Sequence, residues 1–248
     1  MAVQTKKYIE GIDVSRHQKG LNWGAVVEAG HRFAIVKATE GVDYLDPLFY
    51  EHVERAREAG LVVGAYHFAR PSSRKGPVSV ETASEDARAE AECFVHAIRC
   101  ADVELQPWLD FEEYSDNGPR ENAAWIRAFV SVIEDDLEVS PGIYTGRNIW
   151  RFELGNTGEF DHLPLWLAAY SKRKRVPDAR GRVPDLWQWS GGGSFAYGPK
   201  IDGRVVDLNR YTGSDFEDFC KPRMRRPWST VEEGFGGSRP SDYVEVEK

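Results

Sequence analysis

The sequence is poor in cysteine, poor in positive charge and without any long apolar run. Lys and Arg number 32 against 40 Asp and Glu, for a net charge of −8. That balance argues against a nucleic-acid partner, whose phosphates usually call for a basic face of clustered Lys and Arg. It also gives no long-range attraction to an anionic polymer, so recognition of one has to be local. No stretch reaches the ~18 apolar residues of a membrane-spanning helix, and no membrane insertion is expected. Three cysteines cannot all pair with one another. Cys93 and Cys100 are seven positions apart on a stretch that reads as helix, roughly 10 Å along its axis and beyond disulfide reach. With Cys220 remote in sequence, all three read as reduced thiols and the protein as made in a cytoplasm. The opening Met-Ala-Val-Gln-Thr-Lys-Lys-Tyr lacks the apolar core of a secretory signal. Cys and His show no metal-ligand spacing. There is no phosphate loop of the G-x-x-x-x-G-K-[ST] kind and no G-x-S-x-G elbow. Neither metal nor cofactor is expected, and the expected working unit is a monomer.

What the chain does have is 41% hydrophobic and 12% aromatic residues over 248 positions, enough for one large α/β barrel. Eight short apolar runs punctuate residues 8 to 209: Tyr8–Asp13, Phe33–Lys37, Leu61–Phe68, Trp108–Glu112, Gly142–Tyr144, Leu165–Ala168, Leu186–Trp189 and Val205–Asn209. Helix signals lie between the early ones. Asn22 caps a segment closed by Gly30; Asp46-Pro47 opens Leu48 to Ala59; Ser84 to Ala101 has helical apolar spacing; Pro119 or Glu121 opens a helix to about Leu137. Strand-helix alternation through residue 145 implies parallel strands. The stretch from Ser190 to Arg204 is short and glycine-rich, a poor helical crossover, so the last two strands read as antiparallel neighbours. The expected fold is an irregular, TIM-like (β/α) barrel, parallel at first and antiparallel at its end. Residues 1–221 read as the catalytic barrel. Residues 222–248, with Arg223, Arg225 and Arg226 among prolines and glycines, read as a tail or linker. No internal repeat is seen.

Polar residues at the carboxyl ends of barrel strands build catalytic mouths. In Trp108-Leu109-Asp110-Phe111-Glu112 the two acids share one face of a strand. Their mutual repulsion favours retention of a proton on one, as a general acid needs. Asp13 ends the first strand and Asp207 ends the last, and closure of the barrel would bring them together. Solvated loop acids are the ordinary reading of any one such motif, but four carboxylates at one barrel mouth repel at a cost that a purely structural role does not explain. Glycoside hydrolysis calls for such a set: a protonated donor and a second carboxylate. Aromatic rings near strand ends suit the apolar faces of pyranoses. Tyr66, Tyr144 and Trp166 are the choices for the groove and Tyr170 lies near them, while Gln188 and Asn209 are candidates to hydrogen-bond acetamido or hydroxyl groups. His67 reads as a packed structural histidine, and Lys37 with Glu40 as an ion pair holding the rim.

Together these segments resemble glycoside hydrolase family 25, the Chalaropsis-type lysozymes. The matching pieces are Gly11-Ile12-Asp13-Val14-Ser15 with Gln18, Val36–Gly41, Ala59–Phe68, Leu109–Glu112, Gly142–Thr145, Leu165–Tyr170, Trp187–Ser190 and Val206–Asn209. The likeness spans Gly11 to about Gly213; the polar stretch Pro71–Glu85 and the tail after Cys220 go beyond it. It implies a flattened barrel with an acidic groove that cleaves the β-1,4 bond between N-acetylmuramic acid and N-acetylglucosamine in peptidoglycan glycan strands. By position Glu112 matches the proton donor, and Asp110, Asp13 and Asp207 the supporting acids. Absence of a signal segment fits a bacteriophage endolysin. Two other readings are a chitinase-like N-acetylhexosaminidase, whose D-x-x-D-x-D-x-E series is incomplete here before Asp110, and a wall-binding protein that does not cleave, which retention of Glu112 disfavours.

Overall fold

Residues 8–71, 79–172 and 176–220 are described by the computed structural model. Nine strands form one sheet: β1 (Ile9–Val14), β2 (His31–Glu40), β3 (Tyr44–Leu45), β4 (Val62–Phe68), β5 (Trp108–Asp110), β6 (Gly142–Gly146), β7 (Leu165–Ala168), β8 (Leu186–Ser190) and β9 (Asp207–Tyr211). Parallel pairing of β1 with β2 closes eight of them into a barrel, while β3 hangs antiparallel on the end of β2. All barrel pairs are parallel except those of β9, which runs antiparallel to both β8 and β1. The expected antiparallel final pair is therefore present.

Alternation in β2 sorts its side chains by face. Phe33 and Ile35 point into the barrel, where they join Trp108, Tyr144, Trp166 and Leu186. Ala34 and Val36 point outward against the helices, as period-two geometry requires. The interior is filled by rings: Trp166 lies 4.6 Å from Tyr144 and 5.7 Å from Trp108, centroid to centroid, both edge-on. Ring size dictates glycine nearby. A Cβ on Gly142 would collide with the Trp108 ring, and one on Gly11 with Phe33.

Helices α1 (Trp23–Glu28), α2 (Phe49–Glu58), α3 (Val80–Arg99) and α4 (Pro119–Leu137) cover the first half of the barrel. Asn22 caps α1 through a bond from the Ala25 N–H, and Pro119 occupies the first turn of α4, both as expected. Two boundaries differ from the sequence reading. Helix α2 begins at Phe49 rather than Leu48, because the Asp46 carboxylate takes the Leu48 and Arg16 N–H groups and holds Leu48 outside the helix. Helix α3 begins at Val80 rather than Ser84, because Ser79 and Thr82 form a reciprocal cap. His67 is fully buried against Phe94 and Phe129, its ring nitrogens 2.8 Å from Thr39 Oγ1 and 2.7 Å from Glu90 Oε2, so its structural reading stands.

The second half is irregular. Among the described residues after β6 the helices are the short α5 (Arg147–Phe152) and, past β9, α6 (Phe216–Phe219), and no α-helix joins β8 to β9. The tail expected at 222–248 and most of the segment from Pro71 to Ser79 lie outside the described residues.

Candidate active site

The parallel strands end together at one mouth of the barrel, and four carboxylates meet there. Asp13 is the fifth residue of β1, Asp110 the last of β5, and Glu112 lies two residues further along the same extended path, since the Phe111 N–H still donates to the Tyr144 carbonyl. Asp207 begins β9 rather than ending it, which corrects the sequence reading: an antiparallel strand puts its first residue at this mouth. All four acids line one cavity of about 270 Å³ with Lys37, Tyr66, Tyr144, Trp166, Tyr170 and Gln188. A larger cavity of about 740 Å³, beside α2 and the start of β4, holds none of these acids.

The four acids differ in surroundings. Asp13 is buried, and its Oδ2 accepts from Gln188 Nε2 at 2.8 Å and Asn209 Nδ2 at 2.7 Å. Burial raises its pKa to about 6 against the pull of those two amide donors. Asp110 is buried, with Oδ1 lacking any hydrogen-bond partner; burial and then the charge of Glu112 push its pKa well above the usual range. Asp207 is half-buried, and burial followed by the charges of Asp13 and Glu112 raises it to about 8. Glu112 is the open member, exposed at the cleft. The surrounding wall still withdraws its carboxyl from bulk water and raises its pKa, the polar Tyr144 hydroxyl nearby opposing. Four such groups cannot all be ionised at neutral pH, and the protons they retain belong to the set.

The aromatic and amide candidates fall into two tiers. Tyr66, Tyr144, Trp166, Tyr170 and Gln188 line the cavity. Gln188 Oε1 accepts from the hydroxyls of Tyr144 at 2.8 Å and Tyr170 at 3.0 Å, while its amide holds Asp13. Asn209 stands apart: fully buried behind Asp13, it receives Trp166 Nε1 at 2.8 Å and spends its own amide on Asp13. Both ends of its side-chain amide are thus engaged, one by an acid and the other by a ring. Lys37 pairs with Glu40 at 2.5 Å, and Arg70 ties Glu40 to Glu113, so the rim ion pair is present and extended. Ser15, His17 and Gln18 also line the cavity. Sequence reasoning passed over His17, although its position just beyond the carboxyl end of β1 was the available signal. Among the described residues no group of three His, Cys, Asp or Glu is placed to hold a metal ion.

Comparison with known proteins adds an independent observation. The model of Glycosyl hydrolases family 25 matches residues 12–197. An uncharacterized protein, YegX, of Escherichia coli O157:H7 is 31% identical over 84% of this chain and 71% of its own length. The N,O-diacetylmuramidase of Chalaropsis sp. is 29% identical over 82% of this chain and 98% of its own. The solved structure of a family GH25 lysozyme from Aspergillus fumigatus superposes with a TM-score of 0.70 at 27% identity, covering 87% of this chain and all of that one.

Proposed function

The chain belongs to glycosyl hydrolases family 25, and from that membership we infer that it is a lysozyme, a muramidase hydrolysing the β-1,4 bond between N-acetylmuramic acid and N-acetylglucosamine in peptidoglycan. One observation carries the assignment of roles: of four acids with raised pKa in one cleft, Glu112 alone is exposed to the opening. A proton donor has to reach the glycosidic oxygen, which favours the carboxyl most open to the cleft over the buried Asp110.

In this reading Glu112 protonates the leaving oxygen. Asp110, two residues earlier on the same face, orients the acetamido group or stabilises the positive charge that develops at the anomeric carbon. Asp13 supplies negative potential that keeps a proton on Glu112 and steadies the oxocarbenium-like state, and Asp207, which holds its own proton up to about pH 8, is a further supporting acid. Tyr66, Tyr144, Trp166 and Tyr170 form the walls against which sugar rings pack, and Gln188 holds Asp13 and both tyrosine hydroxyls in place. Asn209 acts from behind Asp13.

The finer reading has residues 1–221 as the catalytic unit and 222–248 as a tail, with the protein working as a monomer, binding no nucleic acid and inserting in no membrane. A cytoplasmic origin, as for a phage endolysin, is supported by Cys93, Cys100 and Cys220 all being unpaired. The negative charge supports the lack of a nucleic-acid partner. Among the described residues no helix is long and apolar enough to cross a membrane.

The test is Glu112→Gln, which keeps the shape and removes the proton. Lysis of purified walls should fall by about 10²-fold or more, with an unchanged circular dichroism spectrum. Activity near that of the wild type would overturn the assignment of Glu112.

A further inference from the structure

Beside the acidic cleft, on the far side of Tyr170, lies a second cavity of about 440 Å³ whose walls include Arg147, Ser171, Pro177, Asp178 and Trp187. Tyr170 lines both cavities and is held firmly between them. Its hydroxyl donates to Gln188, and its ring stacks on Phe195 with centroids 4.8 Å apart. The two spaces therefore share one fixed wall.

Arg147 directly follows β6, so it sits at the same barrel mouth as the acids. Its Nε donates to the Asp178 carbonyl at 2.7 Å, which anchors the guanidinium while leaving its two terminal nitrogens available. Among the described residues no carboxylate pairs with Arg147. The cations on the opposite rim are committed, Arg70 to Glu40 and Glu113 and Lys37 to Glu40. The Asp178 carboxylate is itself turned back to the Gly181 N–H.

A glycan strand lying in the cleft carries a pendant arm on each muramic acid, the 3-O-lactyl group and the peptide stem built on it. The arm ends in carboxylates, which the ionised Asp13 repels and which would compete for the protons the other acids of the cleft retain. It has to leave sideways, and a planar guanidinium matches a carboxylate in charge and geometry. We propose that Arg147 and the cavity behind Tyr170 form a subsite for a carboxylate on the 3-position arm of muramic acid, making Arg147 a specificity-determining residue. The inference rests on the muramidase reading of the cleft.

Three glycans test it: strands with intact stems, strands stripped by an amidase to leave the free lactyl carboxylate, and stripped strands whose lactyl carboxylate is converted to the neutral methylamide. Arg147→Gln should raise KM about tenfold on glycan bearing the recognised carboxylate and leave kcat unchanged. On the neutral glycan it should match the wild type, and Arg147→Lys should recover much of the loss. A KM penalty confined to intact strands assigns the carboxylate to the stem; a penalty on the stripped charged strands assigns it to the lactyl group. Equal penalties on charged and neutral glycans, or none on any, would overturn the subsite. Failure of the wild type to cleave any of the three would instead overturn the muramidase reading.

Discussion

Asp13 and Asp207 are register partners across the antiparallel β1–β9 ladder, two carboxylates facing one another where the barrel closes. The pairing follows from the reversed direction of β9. A parallel final strand would carry its own acids to this mouth from its carboxyl end, and Asn209, not Asp207, would be nearer the opening. Reversal puts Asp207 at the mouth and Asn209 deeper, against Asp13 and Trp166.

This pairing makes the site a source of instability. Asp207 has its pKa raised from 3.8 to about 8, so between those values the folded state binds more protons than the unfolded one. Its contribution to stability is present below about pH 4 and lost as pH rises toward 8. Asp207→Asn should therefore raise the melting temperature above pH 8 by a few degrees, on the order of 1–2 kcal/mol. That gain should vanish below pH 4. Thermal melts across pH check this, and a uniform gain at every pH would contradict it.

Activity depends on the same protons with its own signature. Wall hydrolysis should be bell-shaped in pH, its alkaline limb following loss of the Glu112 proton, which burial and the charge of Asp13 hold to higher pH. The charge of Asp13 raises the pKa of both Glu112 and Asp110. Asp13→Asn should thus move the alkaline limb to lower pH as well as slow the reaction. Rate profiles of kcat for the two proteins check the direction, and an unmoved limb would count against coupling.

Asn209 offers a test that touches no sugar. Asn209→Ala removes a donor from Asp13 and leaves Trp166 Nε1 without its acceptor, at a cost of about 1–3 kcal/mol. The pKa of Asp13 should rise, because a donor that favours its charged form is gone. Chemical denaturation and a carboxyl titration followed by NMR measure the two effects separately.

Much of this arrangement was legible in the sequence, and the exceptions have physical causes. Alternation along Trp108–Glu112 placed Asp110 and Glu112 on one face, and the glycine-rich stretch after Ser190 signalled the antiparallel end. Strand direction, though, decides which end of Val205–Asn209 faces the mouth, and that run alone carries no direction; Asp207 therefore opens β9 instead of ending it. The early start of α3 was hidden because a reciprocal Ser79–Thr82 cap looks, in sequence, like any polar loop. Arg147 gave no signal, since the cavity it lines with Tyr170 exists only after β6, β7 and β8 align.

Outside the cleft, the buried His67–Glu90 contact ties β4 to α3. His67→Ala leaves Glu90 Oε2 with only the Arg70 N–H and does nothing for Oε1, which already lacks a partner. A loss of roughly 3–5 kcal/mol is expected, measured by denaturant unfolding, and a change under 1 kcal/mol would mean the pair contributes little.

Mass spectrometry of the fragments released from purified peptidoglycan tests the central claim most directly. Hydrolysis as described leaves N-acetylmuramic acid at every new reducing end. New ends bearing N-acetylglucosamine, or released peptides with the glycan strands intact, would contradict it.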